Sequence, residues 1–242
     1  MTDLAARLDE ACRTGVAIPQ PVDDFEPYEV QSELIGLRLD RGERLVGVKL
    51  GFTSEGKRRQ MGVNDLILGR LTDAMSVHSG PRRYIHPRVE PEVVYLTGRR
   101  IASVADAVHP DAVAAVAPGL EIIDSRYENF RFSLESVIAD NTSAAGYAIG
   151  PWRPYDPARW NLGVVMEIDG RAVQIGSTGA ILGDPRRAVV EAARLAAAIG
   201  LVIEAGSVLL AGAATPAEPL RPGAHVRVEI QDLGEAAFRM EA

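Results

Sequence analysis

In the segment HPRVEPEVVYL, residues 86–96, two glutamates flank a proline inside a run that otherwise reads as a β-strand. Strand side chains alternate between faces, so Glu90 and Glu92 share one face and lie close together. At an effective dielectric near 20, two such charges about 4 Å apart repel by roughly 4 kcal/mol. Any fold this chain adopts must offset that repulsion with solvent, with a base such as Arg88, or with a cation. Proline within the run predicts an edge or irregular strand. A third carboxylate, Glu121 in GLEIIDSRYENF, sits between Leu120 and Ile122, where an idle surface charge is not expected. Three carboxylates with only oxygen to offer are the donor set of a hard divalent ion such as Mg²⁺. Three protein ligands on an octahedral ion leave three positions, room for a bidentate substrate and a water.

The front of the chain reads as helix. Leu4, Leu8, Ala11 and Cys12 recur at helical spacing between Thr2 as cap and Gly15 as stop. VDDFEPYEVQSELIGLRLDRGE predicts a second helix through Val30, Leu34 and Leu37, ending by Gly42. From RLVGVKLGF onward the pattern is mostly β, and that first strand carries Lys49 among apolar neighbours. PDAVAAVA reads as a short helix leading into the strand GLEIIDS, and GVVMEIDGRAVQIG as a hairpin turning at Asp169-Gly170. GDPRRAVVEAARLAAAIG is the clearest helix, with Asp184 as cap, Pro185 at its first position and Gly200 past its end. SVLLAG, AHVRVEI and AAFRM close the chain as strands. With no repeat and no linker, the expectation is one α+β domain over residues 1–242, with a helical part at 1–45 and a β-rich, metal-binding body at 46–242.

Several functions are disfavoured. A net charge of −7 argues against a nucleic-acid or anionic-membrane surface, and the one basic run, Lys57-Arg58-Arg59, is short enough for a solvated helix face. One cysteine permits neither an intrachain disulfide nor a cysteine-rich metal site. GFTSEGKR approaches a phosphate loop, yet Arg58 stands where Ser or Thr must hold magnesium. The four histidines show no metal-site spacing. An acidic N-terminus without an apolar h-region, and the lack of a membrane-length apolar run, lead to the expectation of a cytoplasmic protein.

VGVKLGFTSEGKRRQMGVNDLILGRLTDAM, HPRVEPEVVYL, GLEIIDSRYENFRFSLESVIADNTSAAGYAIG and GAILGDPRRAVVEAARLAAAIG follow one another in an order that resembles a single family. It is the 2-keto-4-pentenoate hydratase and 4-oxalocrotonate decarboxylase family, within the fumarylacetoacetate hydrolase superfamily. The resemblance implies a mixed β-roll with flanking helices, a Mg²⁺ or Mn²⁺ cofactor, a small 2-oxo acid substrate, and a place in meta-cleavage breakdown of aromatic compounds. It also implies a homo-oligomer and a possible complex with a partner hydratase. By motif, Glu90, Glu92 and Glu121 become metal ligands, Lys49 the active-site lysine, Asp73 in LTDAM a second catalytic group, and Ser143 in ADNTSAAGY a substrate contact. A metal ion would then cancel the paired glutamates.

Two activities share such a site. One is decarboxylation of 4-oxalocrotonate (2-oxo-3-hexenedioate) to 2-hydroxypenta-2,4-dienoate and CO₂; the other is hydration of 2-hydroxypenta-2,4-dienoate. IDSRYENFRFSLESV and GKRRQMGV resemble the decarboxylase branch, whereas Ala144-Ala145-Gly146 after Ser143 is closer to the hydratases. Decarboxylation is the favoured reading, with hydration the alternative and a non-catalytic partner subunit a third. A decarboxylase must orient a second carboxylate, for which the expected cation is Arg126 in DSRYENF or the Lys57-Arg58-Arg59 run.

Overall fold

Capping chemistry starts and stops the first helix where the sequence predicts. The computed structural model describes residues 2–61, 63, 65–80 and 82–241. In it α1 (Asp3–Thr14) follows Thr2, whose hydroxyl accepts from the Ala5 N–H, and ends at Gly15 in the left-handed region, φ 71. The second helix, α2 (Pro27–Asp40), is shorter than its pattern suggests. Glu26 is extended (φ −84, ψ 107) because a residue before proline is kept out of the helical region, so the helix begins at Pro27.

The body then alternates strands with short helices. In chain order these are β1 (Leu45–Gly51), α3 (Glu55–Met61), β2 (Ile67–Thr72), β3 (Arg88–Thr97), α4 (Val104–Ala107), β4 (Val113–Ile123), α5 (Leu134–Ala139), β5 (Ala144–Ile149) and β6 (Arg153–Pro154). After them come β7 (Gly163–Ile168), β8 (Arg171–Ser177), α6 (Arg187–Ala198), β9 (Val208–Ala213), β10 (Glu218–Pro219), β11 (His225–Ile230) and β12 (Gly234–Arg239). Among the described residues, one sheet runs β2-β1-β9-β3-β4-β5, with β10 and β6 pairing beside β3 and β4, and a second runs β12-β11-β7-β8. The first is mixed, since β9 is parallel to β1 and antiparallel to β3. Leu120 and Ile122, Met166 and Val228, and Val189 and Ala192 of α6 belong to one apolar cluster joining both sheets to that helix. The α+β class and mixed sheet agree with expectation.

Three local expectations are corrected. Of PDAVAAVA only Pro110–Ala112 forms a 3₁₀ turn; from Val113 the chain is β4, because ladder pairing with β3 outweighs the helical preference of three alanines. Of the edge or irregular strand expected for the paired glutamates, the irregular alternative holds and the edge does not: β3 lies between β9 and β4, with a register shift beside Pro91. Pro91 is tolerated there because its carbonyl accepts from Ala214 N–H on the side where the β9 register shifts, between Glu92 and Val94. Finally, α6 begins at Arg187, with Asp184 capping a preceding turn by accepting from Arg186 N–H at 3.0 Å.

Candidate active site

Pleating and pairing assemble the three carboxylates. Glu90 and Glu92, two residues apart on β3, project to one face, and antiparallel pairing sets Glu121 of β4 directly across from Glu90. All three are buried, and one oxygen of each lies within 4.8 Å of the others. From the neighbouring strand, Gly212 N–H donates to Glu92 Oε2 at 2.8 Å. Gly212 has φ +117, and a Cβ there would lie 2.1 Å from Thr53 Oγ1, so only glycine can bring its N–H to that carboxylate. Among the described residues, Glu92 Oε1 and Glu121 Oε2 are buried with no hydrogen-bond donor.

Lys49 reaches the cluster from β1. Its Nζ lies 3.0 Å from Glu121 Oε1 and donates to the Thr142 carbonyl at 3.1 Å. Its cross-strand neighbour is Gly69, where a Cβ would approach Lys49 Cγ and Cδ to 3.0 Å; the missing side chain leaves the lysine its path. Burial disfavours the ammonium, but Glu121, Glu92 and Glu90 outweigh it and hold the Lys49 pKa above its ordinary value. Burial, reinforced by Glu121, pushes Glu92 well up. Burial also raises Glu121, with Glu90 adding to the rise and Lys49 opposing it. Three carboxylates gathered away from water, with the Glu92 and Glu121 oxygens that lack donors among the described residues, fit a hard divalent cation.

A strained turn frames the other side. Asn141, Thr142 and Ser143 are consecutive non-glycine residues in the left-handed region, at φ 49, 56 and 56. Such a run persists only where its surroundings enforce it. Asn141 does so by accepting from Arg70 N–H and donating to Arg70 C=O, each at 2.8 Å. Next to the turn, Arg126 Nε pairs with Asp140 Oδ1, and Arg126 Nη1 donates to the Ala144 carbonyl at 3.2 Å.

A cavity of about 540 Å³ opens on this cluster, lined by Lys49, Glu90 and Ser143 and by apolar Phe52, Ile67 and Val137. The structure therefore brings together Lys49, Glu90, Glu92, Glu121 and Ser143, whose buried Oγ has no partner among the described residues. Two expected site residues lie elsewhere. Asp73 follows the end of β2, about 13 Å along the chain from Gly69 at strand rise, and does not line the cavity. Its carboxylate accepts from Arg44 N–H at 2.9 Å and Arg44 Nε at 2.8 Å, contacts that hold its pKa low. Arg126 is 3% exposed and spent on Asp140 and the Ala144 carbonyl, so it cannot meet a substrate carboxylate. Of the basic run, Arg58 donates to the Phe52 carbonyl at 2.6 Å and Arg59 pairs with Glu55, while the Lys57 side chain lies outside the described residues.

Sequence reasoning missed Thr142, Gly212 and the apolar lining. Thr142 stood inside a recognised motif, but its role is played by a backbone carbonyl, for which side-chain chemistry leaves no signal. Gly146 packs in β5, where a Cβ would meet Tyr84 Oη at 3.0 Å and Ile122 Cδ1 at 3.2 Å. At Gly146 the absence of a side chain thus serves packing within β5.

The fumarylacetoacetate (FAA) hydrolase C-terminal family model matches residues 66–241. A 4-oxalocrotonate decarboxylase from Pseudomonas sp. is 53% identical over 245 residues, covering 97% of this chain and 96% of that protein. A 2-keto-4-pentenoate hydratase from Paraburkholderia xenovorans is 30% identical over 256 residues, covering 99% and 94%. A solved 4-oxalocrotonate decarboxylase from Pseudomonas putida, complexed with magnesium and adipate, superposes with a TM-score of 0.88 at 34% identity, covering 98% of this chain and 95% of that one. Among the described residues, no helix is long and apolar enough to cross a membrane.

Proposed function

The chain belongs to the fumarylacetoacetate hydrolase family, and from that membership we propose that it is a divalent-metal-dependent 4-oxalocrotonate decarboxylase. The observation that carries the reading is the buried Glu90, Glu92 and Glu121 cluster beside Lys49, in a chain similar end to end to a decarboxylase. These glutamates would hold Mg²⁺ or Mn²⁺, which when bound supplies a Lewis acid to the 2-oxo acid end of the substrate. In the reaction the C5–C6 bond breaks and C6 leaves as CO₂. Its electron pair forms C4=C5, the C3=C4 pair moves to C2=C3, and the C2 oxygen receives the charge. One proton then yields 2-hydroxypenta-2,4-dienoate. An ammonium has three N–H donors. Lys49 gives one to the Thr142 carbonyl and directs another to Glu121, so the third remains for the C2 oxygen. Ser143 Oγ, buried at the cavity wall and unpartnered among the described residues, would offer its hydroxyl to the substrate.

The same reading includes one catalytic domain over residues 1–242, a homo-oligomer, pairing with a hydratase that consumes the product, and a cytoplasmic setting. The test is CO₂ release by the purified chain from 4-oxalocrotonate with added Mg²⁺. Chelation should abolish it reversibly, and Glu121→Gln should abolish it with the fold intact. Addition of water to 2-hydroxypenta-2,4-dienoate without CO₂ release would overturn the reading in favour of the hydratase.

A further inference from the structure

A cation on the leaving carboxylate would oppose decarboxylation. The carboxylate begins charged and ends as neutral CO₂, so a guanidinium beside it stabilises the ground state more than the transition state. Among the described residues lining the cavity, Lys49 and Arg88 are cationic. Lys49 is committed to the glutamate end. Arg88 is exposed, with its guanidinium carbon 5.1 Å from the Phe130 ring centroid.

Another part of the cavity wall is different. Phe52 follows the end of β1, three residues on from Lys49. Phe52 itself is left-handed at φ 61, an unusual conformation for a bulky residue. Its ring packs in one buried cluster with Ile67 of β2 and Val137 of α5, and all three line the cavity. No side chain in that trio offers a hydrogen bond.

We propose that, given the decarboxylase reading above, the carboxylate to be lost is seated against the apolar wall of Phe52, Ile67 and Val137 without a cation of its own. There it loses solvation that CO₂ does not need, so the wall raises the ground state relative to the transition state and leaves the departing product unheld. The same wall gives an attacking water no partner, which separates this pocket from one built for hydration.

The test is Val137→Thr, which keeps the side-chain shape and adds one hydroxyl. A hydrogen bond to a charged group corresponds to about 10- to 100-fold in affinity. We expect adipate, an unreactive six-carbon diacid, to bind about tenfold more tightly by calorimetry in the presence of Mg²⁺. The kcat for CO₂ release should fall about tenfold or more, with KM unchanged or lower. Misfolding cannot raise affinity while lowering turnover, so the opposed changes identify the effect, and Ile67→Thr provides an independent variant. The proposal is overturned if both threonine variants leave kcat and adipate affinity unchanged, or if both quantities fall together. It is also overturned if Arg88→Met is the change that abolishes adipate binding. Wild-type protein releasing no CO₂ would instead refute the decarboxylase reading, and the adipate titration would still report on the wall.

Discussion

Lys49 owes its place to compensation. A lone ammonium buried to this degree would lose its proton, but three neighbouring carboxylates keep it charged, and the Thr142 carbonyl takes one of its donors. Two consequences follow for Lys49→Met, which preserves much of the volume. Turnover should fall about 100-fold or more, as expected on losing a proton-transfer group. Mg²⁺ should bind at least as tightly, since a positive charge beside the ion has gone. Single-turnover kinetics and calorimetry measure the two, and unchanged turnover would reduce Lys49 to a structural ion pair. Residue type alone did not separate such a group from Asp73 or Arg126. All three are charged residues in recognisable motifs, yet one borders the cavity, one binds Arg44 outside it, and one is spent on Asp140.

At the scale of elements, the turn at 141–143 ties β2 to the site. Its left-handed backbone is imposed from outside, chiefly by Asn141, whose amide satisfies both main-chain groups of Arg70. Asn141→Ala would leave two buried backbone groups unpaired, at about 1–3 kcal/mol each, and would let the turn relax away from Lys49. The expected outcome is a lowered Tm and a reduced kcat with Mg²⁺ affinity retained, because the glutamates are carried by β3 and β4. Loss of metal binding in a folded variant would show that the turn supports the carboxylates directly. Capping signals made α1 readable, and the Asp169-Gly170 hairpin was equally plain, both residues having positive φ. The strand content of PDAVAAVA and the interior position of β3 were not readable, because each depends on a partner strand distant in sequence.

Across the whole molecule, the buried carboxylates link stability, protons and metal. In the metal-free protein Glu92 and Glu121 have raised pKa values, so they retain protons at pH values where the unfolded chain has released them. Their favourable contribution is complete below the unfolded carboxyl range, near 4.5, and is lost as pH rises through the folded values. A bound cation requires both carboxylates deprotonated, so the Tm gap between Mg²⁺-loaded and chelated protein should widen as pH rises over that interval. Calorimetry in two buffers of different ionisation heat should detect proton release on Mg²⁺ binding; a gap independent of pH without proton release would contradict this. The helical layer belongs to the same unit, because Gln31 of α2 donates to the Leu68 and Ile138 carbonyls, both at 2.9 Å. From sequence alone came the shared face of Glu90 and Glu92, the oxygen-only donor set and the apolar setting of Lys49 and Glu121, since strand alternation and hydrophobic pattern act between near neighbours. Tertiary structure alone decided that Glu121 faces Glu90, that β9 carries Gly212 to Glu92, and that Asp73 and Arg126 stay outside the cavity. Those outcomes rest on the order and register of strands far apart in the chain, which local pattern does not specify.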